Sequence, residues 1–194
     1  MLCGHTISSI CDGAYYEIWT PIEDVLRGIG MENVARSLKL VNGKQIYLTP
    51  GIHTNLQMAI IEKFGPRYAV GAIVLFLSDI INKPVIFERE RLEQLGVPVT
   101  IYAMLADIIL YQEEERWLYL IRVGTSFRFL SHRRLHELER LLERCTAKII
   151  YISAFPSFAE YLRYAIYIAW GSHIWIAEIP GHMIHYNGDY FLAK

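Results

Sequence analysis

Two short apolar runs joined by an acidic turn constrain the fold of this chain more than any other feature. Residues 107–111 and 117–123 are rich in Ile, Leu, Val and Tyr, and Gln112-Glu-Glu-Glu115 separates them. These residue types favour strands, and a short polar turn lets two strands lie side by side. The pattern therefore predicts a pair of neighbouring strands.

Further strands and turns follow from runs of the same kind. Residues 72–77 are short, continuous and apolar, as in a central strand that is covered on both faces. Turns at Val41-Asn-Gly-Lys44 and Asn187-Gly188 predict hairpins. The other predicted strands are residues 38–40, 45–48, 83–87, 97–102, 148–153, 173–178, 184–186 and 190–192.

Segments with apolar residues three or four apart predict helices between these strands. Such segments occupy residues 53–64, 88–95, 131–145 and 156–168. Gly65-Pro66 is expected to end the first helix, and Ser131 is expected to cap the third. In the last segment the spaced apolar residues are Phe158, Leu162, Ala165 and Ile166.

Strands and helices in this order predict an α/β fold. A length of 194 residues with 53% hydrophobic content suits one domain, which we assign to residues 39–194. Thr20-Pro-Ile-Glu23 has the cap, proline and carboxylate of a helix start. Residues 1–38 are therefore expected to form a short helical N-terminal extension.

The composition argues against a membrane or disulfide-rich protein. The longest apolar stretch, residues 69–77, is roughly half of the ~20 residues that a membrane-spanning helix needs. No basic region followed by a long apolar stretch opens the chain, so we expect an intracellular, cytoplasmic protein. Three cysteines suit free thiols. The net charge of −1 means that any nucleic-acid surface depends on local charge placement.

Residues 122–148 carry such a local excess of positive charge. Seven basic residues stand there against three glutamates, Glu137, Glu139 and Glu143. Basic side chains around a helix start can follow a phosphate backbone, and the predicted nucleic-acid-binding residues are Arg128, Arg133, Arg134 and Arg140. The alternative is a solvated helix with ion pairs such as Glu139 with Arg140 or Arg144.

Histidine and cysteine spacing raises the question of a zinc site. His132 and His136 lie four apart, and His182 and His185 lie close in sequence. Neither pair has a nearby thiolate or carboxylate that completes a known ligand set, so structural roles are predicted. The same holds for Cys3, His5 and Cys11, whose spacing matches no standard site.

Aromatic residues are dense towards the C-terminal end. Trp170, Trp175 and the tyrosines of residues 161–167 are predicted to belong to the core and to a subunit interface.

Several unusual strings occur in one order along residues 40–192. They are Leu48-Thr-Pro-Gly-Ile-His53, Phe64-Gly-Pro-Arg67-Tyr, Leu95-Gly-Val-Pro-Val99, Ala106-Asp107-Ile-Ile-Leu-Tyr111, Thr125-Ser126, Ala154-Phe155-Pro156, Ile168-Ala-Trp170 and His182-Met-Ile-His185-Tyr-Asn-Gly188. Together they resemble the catalytic part of the BsuBI/PstI restriction endonucleases. The resemblance implies a PD-(D/E)xK core, in which helices flank a mixed central sheet. It also implies Mg²⁺-dependent cutting of palindromic DNA, with DNA and a second copy of the chain as partners.

The resemblance assigns roles to residues on the central strand pair. Asp107 matches the metal-binding Asp of the family, with Ala106 in place of Pro. Where the family shows Leu-Ile-Glu-Ala-Val-Thr-Ser, this chain has Leu-Ile-Arg122-Val-Gly124-Thr-Ser. A guanidinium thus replaces a metal-binding carboxylate, and we expect Arg122 to pair with Asp107 in place of the metal. Arg133 stands where the family has Lys, and Arg134 matches the Arg that follows.

Three residues are candidates for a relocated metal site. They are Glu62 on the first helix, and Asp79 and Lys83 after the strand of residues 72–77. The leading hypothesis is that this chain is a nucleic-acid-binding protein in which metal-dependent phosphodiester hydrolysis is impaired or lost. The alternatives are an active Mg²⁺-dependent DNA endonuclease with a relocated ligand, and a protein-interaction subunit that does not bind DNA.

Overall fold

The computed structural model describes residues 36–39, 45–78, 84–99, 105–125 and 129–186. The predicted helix start at Thr20, the Cys3–Cys11 segment and the Asn187-Gly188 hairpin lie outside these ranges. All described residues fall within one compact unit, Asn33–Lys194.

Nine strands form two sheets in this part of the chain. They are β1 (Arg36–Lys39), β2 (Gln45–Leu48), β3 (Ile73–Ser78), β4 (Pro84–Phe87), β5 (Ile108–Gln112), β6 (Trp117–Val123), β7 (Lys148–Phe155), β8 (His173–Ile176) and β9 (Met183–His185). Strands β1 and β2 pair as the predicted antiparallel hairpin. The other seven form one sheet in the order β4-β3-β5-β6-β7-β8-β9.

The large sheet is mixed, as the resemblance implied. Adjacent strands are antiparallel from β4 through β3 and β5 to β6. They are parallel from β6 through β7 to β8, and β9 is antiparallel to β8. Parallel neighbours need a crossover, and helices supply it between β6 and β7 and between β7 and β8. The predicted α/β class is confirmed.

Five α-helices accompany the sheet in the described ranges. They are α1 (Ile52–Ala59), α2 (Gly65–Tyr68), α3 (Arg89–Gln94), α4 (His132–Leu141) and α5 (Phe158–Tyr164). A π-helical turn, Ile60–Phe64, joins α1 to α2, and a 3₁₀ turn, Ala165–Tyr167, follows α5.

Strand β6 shows how the sheet separates two cores. Its residues alternate between the faces, as strand geometry requires. Tyr119, Ile121 and Val123 belong to the cluster that contains α1 and the π-helical turn. Leu118 and Leu120 belong to the cluster that contains α3 and α4. Helices therefore cover both faces of the central strands.

The expected helix end at Gly65-Pro66 is wrong. The π-helical turn widens the backbone there, and Gly65 N–H donates to the carbonyl of Ile60. Pro66 then falls in the first turn of α2, where a missing N–H costs little. The helical path therefore continues to Tyr68.

A strand was also predicted at residues 97–102. The structure describes residues 97–99 of this range, and they do not form a strand. Gly96, with φ of 78°, ends α3, and Val97 N–H donates to the carbonyl of Leu92 at 2.9 Å. This is the bonding of a helix C-terminal cap, so the backbone is not available to a strand.

Three of the four spaced apolar residues of the last predicted helix point outward, whereas Ala165 packs against a core cluster. Phe158, Leu162 and Ile166 are exposed, and Tyr161 is the buried residue of α5. Trp175 is fully buried, as expected of a core residue, but Trp170 is 58% exposed. Apolar spacing reveals a stripe on a helix but not whether that stripe faces the core.

No helix in the described ranges is both long and apolar enough to cross a membrane.

Gly124 lies directly after β6 at a point of close packing. A Cβ atom there would lie 2.5 Å from the Phe155 ring and 3.0 Å from the carbonyl oxygen of Ala154. Phe155 is fully buried and cannot move aside easily. Gly124→Ala is therefore expected to lower the free energy of unfolding by about 1–3 kcal/mol.

Urea denaturation measures this loss. Gly181→Ala is the matched control, since a Cβ at Gly181 meets no atom within 4 Å. Equal stability of the two variants would contradict the close packing of Gly124 against Phe155.

Candidate active site at the ends of strands β5 and β6

Asp107 is held at the start of β5 by the backbones of two neighbouring strands. Its N–H donates to the carbonyl of Ile121 on β6, and its carbonyl accepts from Ser78 N–H on β3, both at 3.0 Å. Ile108 is the register partner of Ile121, so one more step places Asp107 opposite Arg122. The strand pair predicted from the sequence thus brings these two side chains together.

The Asp107 carboxylate is buried and faces two groups of β6. Its Oδ2 accepts a hydrogen bond of 2.8 Å from the Val123 N–H. Its Oδ1 lies 3.9 Å from Nη1 of Arg122, whose side chain is 14% exposed. That distance is an ion pair rather than a hydrogen bond. A positive charge therefore stands beside the carboxylate that the family resemblance assigns to a metal.

Gln57 and Ser78 extend this site towards α1, and sequence reasoning missed both. The Gln57 amide donates to the Ser78 carbonyl at 2.8 Å, and the Ser78 hydroxyl donates to the Asp107 carbonyl at 3.3 Å. Gln57 is fully buried, and its Oε1 has no hydrogen-bond partner within the described part of the chain. A polar residue on the inward face of an amphipathic helix was the signal for it.

Two strings that carried the family resemblance meet at the same end of the sheet. His53, from the Thr-Pro-Gly-Ile-His string, places its Nδ1 3.2 Å from Oγ1 of Thr125. Thr125 follows β6, so this contact ties the start of α1 to the strand that carries Arg122. Residues 72 positions apart in sequence are thereby fixed beside the site.

Ser153 connects the site to α4. It lies opposite Arg122 in the parallel register, is fully buried, and accepts a 2.9 Å hydrogen bond from Leu130 N–H. Ser131 then caps α4 by accepting from the N–H of Arg134. The start of α4 therefore lies near the strand ends that carry Arg122.

The arginines at the start of α4 share one carboxylate partner. Glu137 lies 3.1 Å from Nε of Arg133 and 3.0 Å from Nη1 of Arg134. Hydrogen bonds from these two guanidinium groups lower the pKa of Glu137. Arg140 is exposed on the same helix, and Arg128 lies outside the described ranges.

The ion pair suggested for Glu139 has a different partner. Glu139 lies 3.2 Å from Nδ1 of His136, rather than beside Arg140 or Arg144. Residues three apart on a helix are neighbours, whereas adjacent residues such as Glu139 and Arg140 do not face each other.

Only one of the three residues suggested for a relocated metal site is among the described residues. Glu62 is exposed and lines an open depression of about 520 Å³ with Lys63 and Arg67. Asp79 and Lys83 are not among the described residues. Ser78, the neighbour of Asp79 in the chain, is the residue bonded to Asp107.

The histidines that lie in contact are a different pair from the two considered from sequence spacing. His185 Nδ1 lies 2.8 Å from Nδ1 of His173, its partner across β8 and β9. Burial lowers the pKa of His173, and the charges of His185 and Lys148 lower it further. No group of three or more His, Cys, Asp or Glu that could hold a metal occurs among the described residues.

The described residues around Asp107 do not by themselves fit a Mg²⁺ site. Mg²⁺ requires oxygen ligands in octahedral geometry, and two or more acidic oxygens normally hold it. Here one carboxylate oxygen bonds to a backbone N–H and the other faces a guanidinium. The donor set suits an ion pair rather than a divalent cation.

Comparisons with known proteins identify the family of this chain. Residues 36–189 match the model of the BsuBI/PstI restriction endonuclease domain. The type II restriction enzyme BsuBI of Bacillus subtilis is 40% identical over 156 residues, which cover 80% of this chain and 49% of that enzyme. The type II restriction enzyme AplI of Arthrospira platensis is 26% identical over 164 residues, which cover 80% of this chain and 50% of that enzyme.

The solved structure of the SdaI restriction endonuclease has the same fold. It aligns with a TM-score of 0.75 and 27% identity, over 88% of this chain and 52% of SdaI. The chain thus spans about half the length of each of these relatives. Because the family model covers most of the sequence, this chain belongs to the BsuBI/PstI restriction endonuclease domain family.

Proposed function

We propose that this chain is a restriction-endonuclease-like protein that binds DNA and in which metal-dependent phosphodiester hydrolysis is impaired or lost. The observation that carries the proposal is the Asp107 carboxylate, which faces the Val123 N–H and the Arg122 guanidinium. In this reading the ion pair replaces the Mg²⁺ ion that the family typically uses.

The chemistry explains why one substitution is enough. Phosphodiester hydrolysis by this core needs a divalent ion that polarises the phosphate and lowers the pKa of the attacking water. Arg122 is protonated at every relevant pH, so it repels a cation and attracts Asp107 instead. It also cannot accept the proton of the attacking water. Loss of the metal leaves the surface arginines of the chain able to bind phosphates, so the proposal retains DNA binding without hydrolysis.

The positive residues near the strand ends support a DNA-binding surface. The Ser153–Leu130 hydrogen bond places the start of α4 near Arg122, and Arg133 and Arg134 lie in its first turn. The Nε of Arg134 is buried and has no hydrogen-bond partner among the described residues. Because Glu137 pairs with Arg133 and Arg134, a DNA phosphate must compete with that carboxylate.

One observation favours the second candidate, an active Mg²⁺-dependent endonuclease. Ser78 N–H bonds to the Asp107 carbonyl, so Asp79 follows this contact directly in the chain. A metal held by Asp107 and Asp79 would restore two acidic ligands.

We expect a homodimer in either case, because the family cuts both DNA strands. If the chain binds no DNA, the third candidate is a protein-interaction subunit.

The first test is calorimetric titration of Mg²⁺ and Mn²⁺ into the purified chain. We expect no metal binding by the parent protein and new binding by Arg122→Glu, which places a second carboxylate beside Asp107. Arg122→Gln is the matched control, since it removes the positive charge without adding an acidic ligand.

Plasmid DNA incubated with the same proteins gives the second readout. Nicking by the parent protein in Mg²⁺, abolished by Asp107→Ala, would contradict loss of hydrolysis and favour the site with Asp79.

The ion pair is also expected to contribute to stability. Asp107→Ala leaves the mostly buried Arg122 without its carboxylate and the Val123 N–H without its acceptor. We expect the free energy of unfolding to fall by about 2–3 kcal/mol, measured in urea. Asp107→Ala combined with Arg122→Met removes both charges and should recover part of this loss. A single-variant loss below about 0.5 kcal/mol would show that the pair does not stabilise the fold.

DNA binding is tested by fluorescence anisotropy with duplex DNA at several salt concentrations. Combined Arg133→Ala and Arg134→Ala should weaken binding and reduce the slope of log affinity against log salt by about two. Glu137→Gln removes the negative charge that pairs with Arg133 and Arg134 and should tighten binding. Arg89→Ala is the control, because Arg89 forms a similar ion pair with Glu93, 3.5 Å away, on α3. Binding that ignores salt, or that Arg89→Ala weakens equally, would contradict a surface on α4.

A further inference from the structure

The histidine pair of β8 and β9 lies on the opposite face of the sheet from Arg122. His173 stands two residues from Trp175, which belongs to the core cluster that includes α1, so both side chains lie on that face. Arg122 stands between Ile121 and Val123, which belong to the same cluster, so its own side chain lies on the other face. Chemistry at the histidine pair is therefore separate from the candidate active site.

The two ring nitrogens of this pair lie as close together as two ligands of one metal ion. Nδ1 of His173 is 2.8 Å from Nδ1 of His185, and the ring centroids are 4.9 Å apart. Two imidazole nitrogens that each lie about 2.0 Å from one ion, at a right angle, are about 2.8 Å apart. Right angles between ligands are typical of the square-planar geometry of Cu²⁺ and Ni²⁺. Rotation of the rings about χ2, a soft torsion, aims both lone pairs at one ion.

The strands hold the two rings at this spacing. His173 and His185 are direct register partners in antiparallel strands. Such partners have Cβ atoms about 4.5–5.5 Å apart on one face of the sheet. His173 is half-buried and therefore restricted, whereas His185 is exposed, so an ion can reach the pair from solvent.

A cavity beside the pair has room for further ligands. Its volume is about 320 Å³, and both histidines and Met183 line it. Met183 stands two residues before His185, on the same face of β9. A thioether sulfur is a soft ligand that suits copper. No carboxylate is among the described lining residues, so a hard cation such as Mg²⁺ finds no acidic oxygen there.

Lys148 lines the same cavity and opposes a bound cation. Its Nζ lies 5.3 Å from the centroid of the Trp117 ring. After burial and the neighbouring His185, the charge of Lys148 is the third cause that lowers the pKa of His173. A charge that disfavours a protonated imidazole also disfavours a metal ion in the same place. It leaves the imidazole in its neutral form, which is the form that binds metals.

We propose that His173 and His185 bind a Cu²⁺ ion through their Nδ1 atoms, on the face of the sheet opposite Arg122. The bound ion joins β9 to β8. The inference does not rest on the proposed function, and it holds whether or not the chain binds DNA.

The first test is titration of Cu²⁺ into the full chain, followed by electron paramagnetic resonance. The parent protein should bind one more equivalent of Cu²⁺ than His185→Ala, with hyperfine splitting from two imidazole nitrogens that the variant lacks. His136→Ala is the matched control, because it removes an exposed histidine of α4 and should leave the signal unchanged. His185→Gln is a second variant that keeps a polar side chain but no imidazole, and circular dichroism checks that each variant folds.

The second test uses Ni²⁺, which shares the geometry but does not oxidise the thiols of the chain. Calorimetry should show that His185→Ala weakens binding by on the order of a hundredfold, because the second ligand of a pair binds intramolecularly. Lys148→Gln should tighten binding, because it removes the neighbouring positive charge. Ni²⁺ should also raise the urea midpoint of the parent protein but not that of His185→Ala, since the ion binds only the folded pair.

The inference is overturned if the parent protein, His185→Ala and His136→Ala bind Cu²⁺ and Ni²⁺ alike, which would mean that the two rings form only a hydrogen bond. It is equally overturned if His173→Ala keeps the two-nitrogen signal. Failure of the parent protein to bind DNA would count against the proposed function and leave the metal site standing.

Discussion

The pairing of β5 with β6 is the constraint on which the site depends. It fixes Ile108 opposite Ile121 and so sets Asp107 beside Arg122. The same backbone ties Asp107 to β3 through Ser78. A shift of one residue in this register would turn every side chain of β6 to the other face, which two separate cores forbid. The approach of Arg122 to Asp107 is therefore a consequence of strand pairing and core packing.

Much of the scaffold could be predicted from the sequence because it follows from local periodicity. Runs of apolar residues located the strands, and the Ser131 cap located the start of α4. The neighbourhood of Asp107 and Arg122 followed from two strands joined by a short turn. Each of these features depends on residues close together in the chain, so the sequence contains the information directly.

The missed features depend on residues far apart. Gln57 and Ser78 are separated by 21 positions, and His53 and Thr125 by 72, so no local pattern joins them. The outward orientation of Phe158, Leu162 and Ile166 was missed for a different reason. Tyr161 offered a second apolar side to the helix, and only its contact with Phe155 decides which side faces the sheet. Periodicity can identify an amphipathic helix, but the rest of the fold decides its orientation.

The end of β6 departs from the family string at three positions, Arg122, Val123 and Gly124, and contacts in the structure account for two of these changes. At Gly124 the buried Phe155 ring occupies the space of the missing side chain, so the change is compensated by packing. At Arg122 the charge is reversed, and Asp107 supplies the compensation. The hydrogen bond between His53 and Thr125 and the cap at Ser131 hold the chain on either side of these changes. A scaffold that holds its strand ends through backbone and neutral side-chain contacts does not need a metal ion to keep its shape. We therefore expect the fold to tolerate the proposed loss of the metal.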